Sequence, residues 1–586
     1  MKLIERMALH NISAFNRRAG HFMPGPGVAN RQTEDAPCRT LWGSSLLGWS
    51  ASLTLGIMIL LEGIAQASVN LPLHHWTYEA IDRLVAMRLV DDAMVVSKPY
   101  SRKQAARYVA RVLERMESDE ASVEDQRALV DPLLERLVRE FRHELAGLGA
   151  VPAAPGSSGS WFRYGGRAQL EADAFSVGHG GSGLGVRFRE NRGGEYYANG
   201  EQAQMDLRGW FEIGDYLSVV AQPKYITNPH VLGEGATNNV HNAYMRELNF
   251  KLSIANIALE VGRGTQWWGP GYHGSLLLTD HAFPLDMIKL GSEDPFKLPW
   301  ILKDLGSWRV NSFLAQLERD RDFPRAKVFG LRISYLPTSW FELGLTRMTQ
   351  FNGRGHPQSF PGIIPKTYFG SADELNNGVN EQAMVDFRAT IPHTNYLIPF
   401  PSGLQFYGEI GSEDKWTKFP LPTRAAVLGG IYIPQLFAGD TTDLRLEYAD
   451  TDLDRRRTGM SDDWYNSATF RSGMRYKGFP LGHWIGSNGI DYFLRTTRHM
   501  KDDLQLGLNL DYSERGKGNP AYEKKREAAV DLTWWISKQF QLTMAYTYQH
   551  IENPGQITRI NPFQETFQSG LVSNNNFIWT NFAFEF

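Results

Sequence analysis

Apolar and polar side chains alternate along the chain from Trp161 to the C-terminus. In residues 161–175 the even positions are apolar or small, and most of the odd positions are charged or polar. The same alternation recurs in segments containing Met205, Phe250, Phe387, Leu508 and Met544. Segments of about ten alternating residues separated by turns are typical of a transmembrane β-barrel, whose apolar face meets lipid while its polar face lines the lumen. The pattern therefore predicts a mainly β fold, an antiparallel β-barrel over residues 161–586.

The alternation rule predicts about 18 strands. The count must be even if the barrel begins and ends on the same side of the membrane. To satisfy this, we expect one further strand within 265–306 and one segment within 451–489 that is not a barrel strand. The long outer loops are predicted at 176–201, 228–242, 514–525 and 552–574. The last segment, 577–586, alternates and ends in Phe586, as does the terminal strand recognised by the outer-membrane barrel assembly machinery.

Residues 71–148 carry apolar side chains at helical spacing instead. Three stripes predict three short amphipathic helices, which pack as a small periplasmic domain over residues 68–150. Ser101 with Gln104 forms a capping-box pattern, and Asp131-Pro132 supplies an N-cap and a proline at the first position of the last helix. Docking to a periplasmic partner or to the cell wall is an alternative use of these stripes. A linker rich in Pro, Gly and Ser is predicted at 151–160.

The N-terminal residues 1–67 are predicted to be a targeting segment. Basic residues precede an apolar run from Leu41 to Ile64, and Ala65-Gln66-Ala67 matches a signal-peptidase site. The mature chain would then begin at Ser68. The alternative is an uncleaved anchor helix.

Bulk composition excludes several classes of protein. The net charge of -3 and the mean hydropathy of -0.36 favour neither nucleic-acid binding nor a bundle of membrane helices. The single cysteine, Cys38, excludes an internal disulfide framework and a cysteine-based metal cluster. Aromatic residues make up 12% of the chain, as expected for two interfacial aromatic belts.

Catalytic and metal-binding signatures are incomplete. His143-Glu144 begins a zincin-like pair, but the position of the second histidine is Gly147. The acidic run at Asp450, Asp452 and Asp454 lacks the glycine of a calcium loop. We therefore predict no enzyme activity, no cofactor and no metal site.

Segment 262–286 combines aromatic and basic side chains with glycines and prolines, which predicts a shaped loop between strands. Flat sugar faces stack on Trp and Tyr, whereas Arg and Lys pair with carboxylates, so this mixture suits an acidic polysaccharide. The candidate binding residues in this segment and in two other loops are Arg263, Trp267, Trp268, Tyr272, His273, Arg187, Arg189, Arg192, Tyr196, Tyr197, Lys477 and Trp484. The alternative for each aromatic is a place in an interfacial girdle or in a plug of the lumen.

Two stretches carry a resemblance to a known family. Trp267-Trp-Gly-Pro-Gly271 with Gly274-Ser-Leu-Leu-Leu-Thr-Asp-His-Ala282, and Arg475-Tyr-Lys-Gly-Phe-Pro-Leu-Gly482, resemble the Wzi capsule-assembly family. The similarity covers about residues 71–586, including the helical region before the barrel. Thr279-Asp280-His281 stands where family members tend to have Ser-Asn or Ser-Asp followed by Asn.

The resemblance implies an outer-membrane, lectin-like protein of a Gram-negative bacterium. Such a protein attaches or organises acidic capsular or extracellular polysaccharide at the cell surface, without catalysis. Its expected partners are the polymer, outer-membrane lipid and, during biogenesis, the barrel assembly machinery; we expect a monomer that binds no nucleic acid. The rival functions are a substrate-specific porin and, from another class, an outer-membrane hydrolase or deacylase.

Overall fold

The computed structural model describes most of the chain after residue 66. The described ranges are 67–118, 126–152, 161–178, 186–227, 242–360, 378–392, 400–413, 425–453, 464–557 and 565–586. The predicted signal peptide and anchor-helix alternative fall on residues outside these ranges, as does most of the predicted linker.

Eighteen long strands form a closed antiparallel barrel, as the alternation predicts. Numbered in chain order, the strands are β1 Phe162–Gly178, β2 Gly200–Ile213, β3 Leu217–Ile226, β4 Ala243–Ile254, β5 Ile257–Gly264, β6 Leu285–Ser292, β7 Ser307–Gln316, β8 Lys327–Thr338, β9 Phe341–Phe351, β10 Asn380–Ile391, β11 Leu404–Glu413, β12 Ala426–Ile433, β13 Thr442–Asp450, β14 Ile490–Lys501, β15 Leu504–Arg515, β16 Glu523–Trp535, β17 Phe540–Glu552 and β18 Val572–Glu585. The barrel closes where β1 pairs with both β2 and β18.

The structure confirms the two expectations about the strand count: a further strand within 265–306 and a segment within 451–489 that is not a barrel strand. Strand β6 lies within 265–306, where a further strand is predicted, and pairs with β5 and β7. The described residues of 451–489 contain only the two-residue strands Arg475–Tyr476 and Phe479–Pro480, which pair with each other. Further short strands lie at Ser97–Lys98, Val186–Phe188, Tyr196–Ala198, Trp267–Trp268, Phe296–Lys297, Gly555–Ile557 and Glu565–Phe567, and a 3-10 helix spans Trp300–Leu305.

The alternation along each strand separates an apolar outside from a polar inside. In β1 the outward Leu170 is 56% exposed, whereas the inward Asp173 is buried. Outward apolar side chains continue around the barrel, among them Phe250, Ile288, Leu345, Leu508 and Ile578. This band is what a transmembrane barrel presents to lipid.

Among the residues described before the barrel, four α-helices are present: α1 Thr77–Ala86, α2 Arg102–Ser118, α3 Arg127–Glu140 and α4 Arg142–Gly147. Their apolar stripes meet in one core that includes Leu84, Val109 and Leu137. Among the described residues, no helix is long and apolar enough to cross a membrane.

Three details of the predicted helices change in the structure. The backbone N–H of Gln104 donates to Ser101 Oγ at 3.2 Å, which confirms the cap, but the Gln104 side chain bonds to Tyr108 instead of returning to Ser101. The third helix begins at Arg127, so Pro132 lies inside it and not at its first position. The third predicted helix is divided into α3 and α4 at Phe141, whose ψ of 20° leaves the helical range.

Short turns join the strands at one end of the barrel, here called the turn end; the longer loops lie at the opposite loop end. The helical segment, residues 67–150, contacts the turn end. Arg83 donates to the carbonyl oxygens of Pro434 and Thr441, and the Ala67 N–H donates to Asp215. Residues 93–98 continue into the lumen, where Ser97 and Lys98 pair with Trp268 and Trp267.

Arg332 on β8 joins the barrel wall to this inserted stretch. Its guanidinium makes two hydrogen bonds to Asp386, of 2.7 and 2.9 Å, and a third of 2.7 Å from Nε to Ser97 Oγ. Arg332 is fully buried. Because a buried guanidinium must be paired, this cluster fixes residues 93–98 against β8.

We expect Arg332→Met to lower the free energy of unfolding by about 3–5 kcal/mol, because Asp386 would be left buried without its partner. The control is Arg139→Met, which breaks the exposed Arg139–Glu135 pair, in which the side chains are 39% and 76% exposed. That change should cost about 0–1 kcal/mol. Thermal unfolding of the detergent-purified protein measures both, and equal losses would contradict the assigned role of Arg332.

Candidate binding surface and the filled lumen

Residues 265–284, here called the central loop, fold into the lumen and are held there by two carboxylates of the wall. Glu409 accepts the backbone N–H groups of Gly271 and Leu276 at 3.2 and 2.7 Å. Glu447 accepts those of Tyr272 and His273 at 2.7 and 2.9 Å. The buried backbone donors of an irregular loop are thereby satisfied.

The glycines of the central loop allow this close approach. Gly269 has a φ of +140°, and a Cβ at this position would lie 2.2 Å from both Glu409 Oε1 and Ser275 Oγ. Any other residue would therefore push the loop away from the wall.

Leu276, Leu277 and Leu278 pack inside the barrel against Phe313 and Met348 of the wall. Side chains of the loop between β13 and β14, including Trp464, Phe470 and Met474, complete the same apolar core. Tyr272 at the other side of the central loop donates to Glu79 of α1 at 2.6 Å. The described lumen is thus filled by the central loop from one end and by the helical segment from the other.

Trp267 and Trp268, both predicted to bind polysaccharide, are buried in this packing. Trp268 is 1% exposed and lies 5.1 Å, centroid to centroid, from Phe313. Trp267 is 8% exposed and pairs with Lys98 through the backbone. Both indoles therefore lie where a polymer at the surface does not reach them.

His273 and Trp484, predicted from separate loops, come together in a buried charged cluster. His273 Nδ1 lies 2.8 Å from Asp491 and its Nε2 lies 3.3 Å from Glu190. The ring stacks on Phe493 at 3.9 Å, and Trp484 contacts it edge-on at 5.3 Å. These contacts give His273 and Trp484 a structural role, which is to hold the central loop inside the lumen.

The same cluster contains a set of side chains, Glu190, His273 and Asp511, whose donor atoms are close enough to hold a metal ion. Lys525 already supplies the positive charge at this position. Its Nζ lies 2.5 Å from Glu190 and 2.6 Å from Asp511, and 4.4 Å from the centroid of the Trp484 ring. An ammonium in contact with both carboxylates does not fit a metal at the same point.

The histidines of the filled lumen have shifted pKa values of opposite direction. Burial opposes a charge on His273, but the carboxylates of Asp491 and Glu190 outweigh it and hold its pKa well above the usual range. Burial lowers the pKa of His483 to about 4 and, together with Arg515, that of His281 to about 3. His273 is thus the charged member and the other two are neutral.

Arg189 belongs to a second ion network on the other side of the lumen. It lies 2.5 Å from Glu171 and 3.4 Å from Glu195. Burial opposes ionisation of Glu195, but Lys224 and Arg246 outweigh it and lower its pKa to about 2. Arg189 is 2% exposed, so its charge is committed to holding the hairpin of Val186–Phe188 and Tyr196–Ala198 on the wall.

Of the other predicted binding residues in that hairpin, only Arg192 has a side chain in the described part of the structure. Arg192 lies over the ring of Trp579, with 5.7 Å between Cζ and the centroid. Arg187, Tyr196 and Tyr197 lie in its two short strands, and their side chains are outside the described part of the structure.

Arg263 and Lys477, candidates more than two hundred positions apart, meet at the loop end of the barrel. Both cations lie over the ring of Phe283, with Lys477 Nζ 3.7 Å and Arg263 Cζ 5.3 Å from its centroid. Arg263 is fixed by a bidentate pair with Asp286, of 2.7 and 2.9 Å. Tyr476 lies 6.4 Å from Phe283. We call Arg263, Phe283, Asp286, Tyr476 and Lys477 the rim patch.

The rim patch contains residues that the sequence analysis does not single out. Phe283, Asp286 and Tyr476 stand inside the two recognised stretches or beside them, but their spacing gives no sign that they meet. Lys477 is exposed and Phe283 is half-buried, so the patch is accessible, unlike the tryptophan pair.

Strand pairing and the inserted loops define a closed antiparallel β-barrel with a filled lumen. The family model for the capsule assembly protein Wzi matches residues 173–559, and the chain belongs to this family. The structure of Wzi from Escherichia coli, an outer-membrane protein involved in group 1 capsule assembly and a carbohydrate-binding β-barrel, has the same fold. Its TM-score is 0.62 at 18% identity, covering 87% of this chain and 99% of that one.

One curated relative is an uncharacterized 55.8 kDa protein in the cps region of Klebsiella pneumoniae. It is 30% identical over 236 residues, which are 39% of this chain and 43% of the relative. The matched region thus spans less than half of that protein. OccAB2 of Acinetobacter baumannii is a more distant structural match, with a TM-score of 0.40 and 12% identity over 73% of this chain and all of that chain.

The raised pKa of His273 predicts a pH-dependent stability. The stabilising effect of its charge is fully present below the unfolded-state pKa of about 6.5 and is lost as pH rises through the higher folded-state pKa. We therefore expect His273→Gln to lower the thermal unfolding midpoint most at about pH 6 or below, with a difference from the parent protein that shrinks at higher pH.

His143→Gln is the matched control, because His143 is exposed on α4. Its midpoint should follow the parent protein at every pH. A deficit of His273→Gln that stays constant or grows with pH would contradict the charged state assigned to His273.

Proposed function

We propose that this protein is a lectin-like component of the outer membrane that attaches or organises acidic capsular or extracellular polysaccharide through the rim patch. Membership of the capsule assembly family supports the role in capsule assembly. The carbohydrate binding described for Escherichia coli Wzi, which has the same fold, supports the ligand class. The observation that carries the proposal is the accessible pair of cations around Phe283.

The rim patch offers the two contacts that an acidic sugar requires. The half-buried Phe283 ring holds the Lys477 ammonium over its face and leaves its apolar edge for contact with the C–H groups of a pyranose. Within the described residues, Lys477 makes no ion pair, so its ammonium is available for a uronate or pyruvate carboxylate. Arg263 has both its terminal nitrogens engaged, with Asp286 and the Met245 carbonyl, and therefore acts by fixing Phe283 and adding positive potential.

The outward apolar band supports insertion in the outer membrane, with the loop end facing outward and the turn end facing the periplasm. In this orientation the rim patch faces the secreted polymer and the helical segment, residues 68–150, lies on the periplasmic side. We propose a monomer inserted by the barrel assembly machinery.

The filled lumen supports attachment over the rival function of a substrate-specific porin. The central loop is anchored by backbone hydrogen bonds to Glu409 and Glu447, and its leucines pack in an apolar core. An open path would require this core to leave the lumen. We propose a binding role without catalysis, because the buried charged groups of the central loop are committed to one another and not directed at an accessible cleft.

Lys477→Gln combined with Phe283→Ala should weaken the binding of purified protein to an acidic polysaccharide by about tenfold or more, since a hydrogen bond between the Lys477 ammonium and a sugar carboxylate contributes on the order of 1.5–3 kcal/mol. Surface plasmon resonance on immobilised polymer measures the change. Lys524→Gln is the control, because Lys524 lies 5.2 Å from the centroid of Tyr522, in a similar arrangement outside the rim patch.

In cells, deletion of the gene should release polymer into the medium while total synthesis continues. The Lys477→Gln, Phe283→Ala variant should reproduce this release at normal membrane levels of the protein. Polymer that stays on the cells, or a Lys524→Gln variant equally impaired, would refute the assignment to the rim patch.

A further inference from the structure

The turn end of the barrel holds a cavity of about 750 Å³ between the helical segment and the wall. Trp76 and Arg136 line it from the helical side, and Trp535, Arg167 and Glu585 line it from the barrel. This volume is within the range of about 300–1,000 Å³ that small-molecule sites occupy. The cavity is at the opposite end of the barrel from the rim patch and shares none of its residues.

The guanidinium of Arg136, on α3, lies close to the indole rings of Trp76 and Trp535 in this cavity. Its Cζ lies 4.1 Å from the centroid of the Trp535 ring and 5.7 Å from that of Trp76. The two indoles are 6.2 Å apart and meet edge to face. A guanidinium that stacks on rings in this way keeps its N–H groups free to donate in its own plane.

Three donors at this point have no acceptor among the described residues: Arg136 Nε, Arg136 Nη1 and Trp535 Nε1. Buried donors are nearly always paired with protein atoms, ordered water or a bound group, so three unpaired donors close together mark a place where such an acceptor fits. None of the three atoms can accept a hydrogen bond, because guanidinium and indole nitrogens only donate.

Three glutamates of the cavity, Glu135, Glu140 and Glu585, are paired with other arginines, whereas the charges of Asp502 and Asp503 act on Arg136 without an ion pair. Glu140 accepts from Arg102 at 2.6 Å, and Glu585 accepts from Arg167 at 2.7 Å. Glu135 accepts from Arg139 at 2.7 Å. In the adjoining turn, Asp503 accepts from Trp534 Nε1 at 3.1 Å. Within the described residues, none of these carboxylates is within ion-pair distance of Arg136.

We propose that this cavity is a second binding site, for a pyranose that carries a carboxylate, with Arg136 and Trp535 donating to the carboxylate. Two indoles beside one cation suit a ligand with a flat apolar face and a negative group, which a uronic acid unit combines. The inference does not depend on the rim patch. It places acidic saccharide recognition at both ends of a barrel whose lumen is filled.

The test uses the full chain in detergent with the rim-patch changes Phe283→Ala and Lys477→Gln present throughout, so that the signal reports the cavity. Isothermal titration with trigalacturonate is compared with titration by the neutral galactose trimer of the same linkage. We expect the acidic trimer to bind at least about tenfold more tightly, and Arg136→Gln to remove that preference.

Arg111→Gln is the matched control, because Arg111 is a partly exposed arginine of the same helical segment that pairs with Asp92 outside the cavity. Trp535→Phe keeps an aromatic ring at this position but removes the Nε1 donor together with the pyrrole part of the indole, and it should weaken the acidic trimer several-fold. Thermal unfolding of each variant separates loss of ligand contacts from loss of fold.

Equal affinity for the acidic and neutral trimers, or equal affinity of the Arg136→Gln and Arg111→Gln variants, would overturn the proposal. Inorganic phosphate that competes as well as trigalacturonate would overturn the saccharide assignment. Because the rim-patch variants are measured on immobilised polymer and the cavity variants with the trimer, failure of either proposal is distinguishable from failure of the other.

Discussion

The structure depends on how buried backbone groups are satisfied inside a barrel. An irregular loop in the lumen carries N–H groups that no strand can pair, and leaving them unpaired costs about 1–3 kcal/mol each. Glu409 and Glu447 accept four such groups of the central loop. Only after this anchoring can Leu276, Leu277 and Leu278 form an apolar core against the inner wall. The filled lumen is therefore a consequence of two carboxylates placed on neighbouring parts of the wall.

The same anchoring separates the aromatic residues into two roles. Trp267 and Trp268 are buried within the central loop, and Trp484 lies beside its charged cluster, so all three support the fold of the loop. Phe283, at the end of the loop, remains at the loop end of the barrel with Arg263 and Lys477 around it. The two stretches that resemble the family thus contain more buried residues, which hold the central loop in place, than accessible ones. A loop held in one conformation needs particular side chains at each of its buried positions.

The helical segment shows the same principle from the other end. Arg332 pairs with Asp386 and reaches Ser97, and Arg83 donates to two carbonyl groups of a turn. Charged groups of the wall and of the helices are thus used to join the two, whereas Arg136 of α3, which lies between Trp76 and Trp535, has donors without an acceptor among the described residues. The predicted helix at Asp131-Pro132 fails at its boundary because packing against the helical core extends the helix back to Arg127 in spite of the proline.

The sequence by itself determined the barrel, its strand number and the helical stripes, because these follow from periods of 2 and 3.6 residues that are local and repeated. It also predicted an irregular loop at 262–286, of which residues 265–284 form the central loop while the two ends belong to β5 and β6. It did not indicate which side chains of that loop are accessible. Arg263, Phe283 and Lys477 meet through loops separated by about two hundred residues, and Glu409 lies on a strand far along the chain. Such meetings depend on strand order and closure, which only the tertiary structure decides, since no local pattern records the distance between two loops.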